Sequence, residues 1–314
     1  MNKQLTLSAC PHIHSGRTTS GVMLDVILAL LPAVVAGAVI FGLRALLVLA
    51  VTLIACVGFE ALYNLILKKE QTIGDLSAAV TGLLLGLNLP ANIPLWQCVV
   101  GSLFAIIVVK CLFGGLGCNP VNPAITARVF MLIAFGSMAK TSSPVVVDAV
   151  SGATPLATEA PTPLLDLFLG LHGGVIGETC AVALLLGLVY LLIRGVITWH
   201  IPVAFVGTVF VTSFFMEGLD LLAALAAVLS GGLLIGAIFM ATDYVTSPAT
   251  SWGKAIFGVG AGLITFLIRY FGVYPEGVSF AILFMNILTP YIDSWTKHKI
   301  FGRNRIFGQG GKKA

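Results

Sequence analysis

Ala78-Ala-Val-Thr-Gly-Leu-Leu-Leu-Gly86 returns, lengthened by an insertion, as Ala226-Ala-Val-Leu-Ser-Gly-Gly-Leu-Leu-Ile-Gly236. Each copy runs into a polar segment, Asn88-Leu-Pro-Ala-Asn-Ile-Pro94 after the first and Asp243-Tyr-Val-Thr-Ser-Pro248 after the second. Proline withholds a backbone donor and Asn and Asp favour turns, so both segments should interrupt a helix. The surroundings are apolar: 58% of the 314 residues are hydrophobic and 10% charged, where a soluble domain carries roughly a quarter charged. A spanning helix takes about 20 apolar residues. The chain therefore reads as an all-α integral membrane protein of roughly ten transmembrane helices, with no room for a separate soluble domain.

The spans are expected at 22–43, 45–67, 73–87, 95–112, 124–138, 175–194, 201–216, 221–242, 254–271 and 277–291. The two similar stretches then fall in the third and eighth spans. An odd number of spans between copies turns them over in the bilayer, which predicts two inverted five-helix repeats, 1–138 and 175–294, with broken third and eighth helices. A loop at 139–174 joins the repeats and a basic tail, 295–314, follows them. The run from residue 22 is too long for a signal-peptide core and is expected to be a retained first span.

Lys68, Lys69, Lys110, Arg194, Lys254 and the basic tail all fall on the side of the amino terminus, whereas Arg44, Lys140 and Arg269 fall on the other. Positive residues mark the cytoplasmic side, so both termini are expected inside the bacterial cytoplasmic membrane and the 139–174 loop outside it. The net charge of +4 reports this topology and does not suggest nucleic acid as a partner. The cysteines form no CxxC pair, and His12 and His14 lack a third ligand nearby, so neither a metal centre nor a disulfide framework is expected.

Charges inside spans need a partner or a purpose. Asp75 and Asp243 border the two repeated stretches and are candidates for an ion path. Asp75 could equally cap a helix start and Asp243 could close an Asx-type turn. Glu60 lies too deep to cap. Arg128 follows Asn119-Pro-Val-Asn-Pro-Ala-Ile-Thr126 on the first turns of a helix, where N–H groups and a guanidinium suit an anionic or carbonyl-rich group; snorkelling toward the interface is the alternative. Gly173-Gly-Val-Ile-Gly-Glu-Thr179 opens the sixth span with a glycine-rich turn that permits close approach to a ligand. Asn122, Arg128, Glu178 and Thr179 are thus candidates for holding a cofactor.

The 139–174 loop contains Asp148-Ala-Val-Ser-Gly-Ala-Thr-Pro-Leu156. Small residues at Gly152 and Ala153 leave the Thr154 hydroxyl accessible to a modifying enzyme, although a Ser/Gly/Thr cluster is also what any loop contains. Ser151-Gly-Ala-Thr154 with Asp148 resembles the acceptor pattern of proteins that carry FMN on a threonine through a phosphoester bond. The Asn-Pro-Ala-Ile-Thr-Ala-Arg segment, that loop, Gly-Glu-Thr179, Ala-Thr-Asp-Tyr-Val-Thr-Ser-Pro248 and Met285-Asn286-Ile-Leu-Thr-Pro290, in this order, make the whole chain resemble the RnfD family, the D subunits of the Rnf electron-transport complex. The sister family, NqrB, serves the sodium-pumping NADH:quinone reductase and has a longer amino-terminal extension than the short stretch here before residue 22.

The resemblance implies covalent FMN on Thr154, with Asp148, Ser151, Gly152 and Ala153 as the segment a flavin transferase recognises, and riboflavin within the membrane region. It implies partners among the membrane and peripheral subunits of that complex, electron flow between ferredoxin and NAD, and coupling to Na+ or H+. The chain has no nucleotide-binding fingerprint and no ferredoxin-type cysteine run, so the expected role is a relay between partners. A urea-channel-like solute channel without a redox cofactor shares the same repeat plan and is the competing expectation.

Overall fold

A computed structural model describes residues 17–135, 163–272 and 277–297. Asp148, Ser151, Gly152, Ala153 and Thr154 lie outside the described residues. Among the described residues the regular structure is helical. The first half holds α1 (Thr19–Phe41), α2 (Leu43–Ile66), a single turn at Ile73–Asp75, α3 (Ser77–Leu87), α4 (Leu95–Leu103) continuing as a π-helix (Phe104–Cys111), and α5 (Pro123–Ala134). The second holds the short α6 (Leu164–Leu169), α7 (Ala181–Arg194), α8 (His200–Met216), α9 (Leu221–Leu229), α10 (Leu233–Ile235) continuing as a π-helix (Gly236–Met240), α11 (Ser251–Phe271) and α12 (Val278–Thr296).

Three helices, α1, α2 and α11, are long and apolar enough to cross a membrane singly; α9 and the segment Leu233–Met240 do so only as a pair bent by 66°. The bend falls at Ser230-Gly231-Gly232, ahead of the Asp243 turn. Local signals set the ends. Thr18 Oγ1 accepts from Gly21 N at 3.1 Å to start α1, Asn122 and Pro123 open α5, and Gly195, at φ +62°, closes α7 in the left-handed conformation glycine tolerates best.

Two Gly-x-x-x-Gly faces bring helices close. A Cβ on Gly82 of α3 would lie 2.8 Å from Leu53 Cα of α2, and one on Gly262 of α11 would lie 2.6 Å from Thr208 Cβ of α8. Without a hydrophobic drive between helices in lipid, such backbone approach is a main source of association. α1 packs on α7 and α5 on α12; α2 packs on α3 and α4, as α8 packs on α9 and α11.

The ends of the bundle are distinguishable. At one end, here the first, Arg17 donates to the Arg194 and Gly195 carbonyls, Ser20 to Gly74 O, and Thr250 to Thr296. At the second end Arg44 Nη2 reaches Ile93 O and Trp96 meets Phe135 edge-on at 5.2 Å. All four tryptophans are exposed, Trp199, Trp252 and Trp295 at the first end and Trp96 at the second, as expected of interfacial belts. The described chain stops after α5 and resumes at α6, both at the second end.

Candidate functional site

The helix breaks meet in the interior. α3 has 11 residues, a rise of about 16 Å, roughly half the hydrocarbon core. Its continuation, Asn88 to Ile93, is not helical yet is largely buried. Irregular backbone inside a membrane protein must find its hydrogen bonds within the protein, and here two irregular segments serve each other. Gly177 N donates to Leu87 O at 2.8 Å and Ile176 N to Leu89 O at 3.3 Å. A Cβ on Gly177 would sit 2.7 Å from Leu87 Cβ, so the glycine-rich turn of the sixth span is a packing requirement.

Arg128 and Glu178 come together at this junction, with Arg128 Nη1 2.7 Å from Glu178 Oε1 and 2.6 Å from Asn88 Oδ1. Both are buried. A Cβ on Gly232 would lie 2.5 Å from Glu178 Oε1 and 3.4 Å from Arg128 Nη1. The pair thus joins the end of α3, the body of α5, the entry to α7 and the α9–α10 bend. Thr179, next to Glu178, is fully buried, and its hydroxyl has no hydrogen-bond partner among the described residues.

The second feature is a cavity of about 420 Å³ at the first end, between α1, α3, the π-helix after α4, α5, α7 and the turn after Met240. Its walls are apolar at Val22, Met23, Val26, Leu84 and Phe239, with polar groups from Ser77, Thr81, Lys110, Asn119, Asn122, Asp243 and Tyr244. Asn122 is held from both sides: Oδ1 accepts from Ala124 N and Ile125 N at 3.0 and 3.3 Å, and Nδ2 donates to Met240 O at 3.3 Å. Asn122 caps α5 and Arg128 lies within it, yet of the two only Asn122 lines the cavity.

Of the two ion-path candidates, Asp75 caps α3, its Oδ1 accepting from Ser77 N at 2.8 Å and Ser77 Oγ at 2.5 Å. Asp243 lines the cavity and closes its own turn, accepting from Val245 N at 3.4 Å and Thr246 Oγ1 at 3.2 Å. Glu60 accepts from Lys110 Nζ at 2.7 Å and Thr72 Oγ1 at 2.9 Å. Lys110 therefore does not belong to a cytoplasmic segment, as its place in the sequence suggests; it is 2% exposed, and the signal for this is Glu60, a carboxylate deep in α2 that requires a cation. Sequence reasoning does not single out Asn88 or Ser77 either. A polar residue in a loop or at a helix start carries no mark of the charge it will face.

The sequence profile of the NQR2, RnfD, RnfE family matches residues 6–302. The chain belongs to this family. It is 46% identical over 311 residues, 96% of each chain, to the D subunit of the Na(+)-translocating ferredoxin:NAD(+) oxidoreductase complex of Acetobacterium woodii. It is 40% identical to the D subunit of the proton-translocating ferredoxin:NAD(+) oxidoreductase complex of Clostridium ljungdahlii, over 96% of this chain and 97% of that one. It is 35% identical to the D subunit of the ion-translocating oxidoreductase complex of Cronobacter sakazakii, over 94% and 98%. As a member of the NQR2, RnfD, RnfE family with several apolar helices, it is a multi-pass membrane protein.

Proposed function

We propose that this chain is the D subunit of an Rnf-type ion-translocating ferredoxin:NAD+ oxidoreductase and relays electrons between two flavins. Near full-length similarity to relatives named as that subunit carries the reading. One flavin is FMN on Thr154, attached by a flavin transferase that reads Asp148, Ser151, Gly152 and Ala153. The other is riboflavin in the first-end cavity. Its volume lies within the range of about 300–1,000 Å³ usual for small-molecule sites, and apolar walls with a few placed amides are what a tricyclic ring with a polar edge requires. The Asn119 and Asn122 amides, Thr81 and Tyr244 face that edge, while Val26, Leu84 and Phe239 cover the ring; the flavin supplies one- and two-electron chemistry.

In this reading the helices form ten spans in two inverted five-helix repeats. The pairings of α1 with α7 and α5 with α12, and the parallel placing of α2–α4 and α8–α11, support it. Lysine and arginine bias puts the first end and both termini in the cytoplasm and the Thr154 loop outside. The two flavins then stand at opposite ends of the protein, the arrangement a transmembrane relay needs. Arg128 and Glu178 hold the broken segments together between them. Asp243, at the cavity, stands on the ion side of the coupling, with Na+ or H+ as the ion, and Asp75 acts near it. Oxidation of the soluble donor and reduction of NAD+ belong to the partner subunits.

Filling the cavity tests its assignment. Val26→Trp should lower the flavin released from the denatured chain by about tenfold, a loss of roughly 1.4 kcal/mol in binding, and leave covalently retained flavin unchanged. Equal release from the variant and the parent would place the second flavin elsewhere.

A further inference from the structure

The cavity wall carries a buried ammonium. Lys110, on the π-helix after α4, is 2% exposed, and its Nζ donates to Glu60 Oε1 at 2.7 Å and to Ser77 Oγ at 2.6 Å. Lys110 and Ser77 both line the cavity. An ammonium only donates and a carboxylate only accepts, so the direction of the chain is determined: Lys110 donates to the Ser77 hydroxyl, and that hydroxyl donates to Asp75 Oδ1. Asp75 is half-buried in the turn at Ile73–Asp75, whose neighbours Gln71, Thr72 and Gly74 are exposed. Two hydrogen bonds therefore connect the cavity wall with the protein surface at the first end.

We propose that Lys110 is the proton donor to the redox group in the cavity, and that Ser77 and Asp75 return a proton to it from solvent; this rests on the cavity being a flavin site. Electrons come from the electron flow of the complex. On arrival of one electron at a flavin held there, one N–H bond of the Lys110 ammonium would break and its proton would pass to that flavin, so Lys110 would offset the charge the electron brings. Asp75, a carboxylate that accepts from Ser77 at rest, takes a proton from water; the Ser77 hydroxyl then passes its own proton to the Lys110 amine as it receives the one on Asp75, which leaves Asp75 a carboxylate again. Return is strongly favoured, because a neutral Lys110 leaves Glu60 as an unpaired charge, 3% exposed, whose Oε2 already lacks a partner among the described residues.

The surroundings restrict the route. From α2, Cys56, Glu60 and Tyr63 face this region, and Cys111 adjoins Lys110 on its own helix. Across the cavity stand Arg17, Asp243 and Tyr244. Of all these, only Glu60 and the Ser77–Asp75 pair are hydrogen-bonded to Lys110 directly or in sequence.

The test uses the full-length chain with Thr154→Ala in lipid nanodiscs, photoreduced beside a pH indicator, so that flavin bleaching and proton uptake from solvent are recorded together. With the relay intact, uptake should keep pace with bleaching. Ser77→Ala should delay uptake by about 100-fold, the low end of what a positioned proton carrier contributes, and imidazole should restore it. Lys110→Met combined with Glu60→Gln, which removes both charges and keeps the interior neutral, should show the same delay. Uptake in step with bleaching in both variants, or a delay in Ser77→Ala that imidazole leaves unchanged, overturns the relay while the cavity assignment stands. A Thr154→Ala chain with no flavin to bleach overturns the cavity assignment and the relay with it.

Discussion

Intact mass of the Thr154→Ala chain should fall short of the parent by one covalently bound FMN, with complete loss of flavin from the denatured polypeptide. The chemistry makes the effect all-or-none. A transferase acting on FAD forms a bond from a protein hydroxyl to the FMN phosphorus and breaks the pyrophosphate, releasing AMP, so the acceptor oxygen cannot be replaced by a neighbour's packing or charge. Ser151 supplies an internal control, because it offers a hydroxyl three residues away in the same Ser-Gly-Ala-Thr segment. If the transferase reads the segment by position, Ser151 stays unmodified in Thr154→Ala and Thr154→Ser keeps the flavin. An unchanged mass in Thr154→Ala would place the flavin on another residue.

The second large effect is expected at the helix junction. Glu178→Gln removes the carboxylate 2.7 Å from Arg128 while the guanidinium stays buried and charged. Breaking a buried pair from one side costs about 3–5 kcal/mol, whereas replacing both partners with apolar residues of similar size is often neutral. Glu178→Gln should therefore unfold at a clearly lower temperature than the parent, and Arg128→Met with Glu178→Met should recover most of the loss. The measurement is thermal unfolding in detergent followed by the monodisperse fraction. A Glu178→Gln protein as stable as the parent would mean that the pair does not hold the α3 end, α5 and the α9–α10 bend together.

The third span shows what is legible in one dimension and what is not. Its apolar run and its stop at Asn88 are readable, and α3 ends at Leu87. A start at residue 73 is not what forms, because Leu76 adopts a left-handed conformation, φ +62°, while Asp75 binds both the amide and the hydroxyl of Ser77. A capping carboxylate just outside a helix looks, in the sequence, like one more residue of an apolar span. The eighth span reads as continuous through residue 242, yet Ser230-Gly231-Gly232 bends it by 66°, a break that its Ser-Gly-Gly composition signals more clearly than the later Asp243 turn.

Costs are legible at the site, while pairings are not. Glu60, Arg128 and Glu178 each stand out as expensive in an apolar chain. Nothing local says that Glu60 meets Lys110 across 50 residues or that Arg128 meets both Glu178 and Asn88, since those contacts exist only once irregular segments fold back on one another. The π-helices are tertiary in the same sense. The widened turn after α10, in which Ala241 N reaches back to Gly236 O, is supported by Asn122 donating to Met240 O from α5 and by Thr242 Oγ1 donating to Ile238 O.

The most direct test of a two-flavin relay is to precipitate the purified, unsubstituted chain with acid and assay flavin in pellet and supernatant. The account predicts one flavin retained in the pellet with the polypeptide, identified as FMN after peptide mapping to the segment containing Thr154, and one released to the supernatant as riboflavin. A colourless pellet together with a flavin-free supernatant would contradict it and leave the fold to a solute channel.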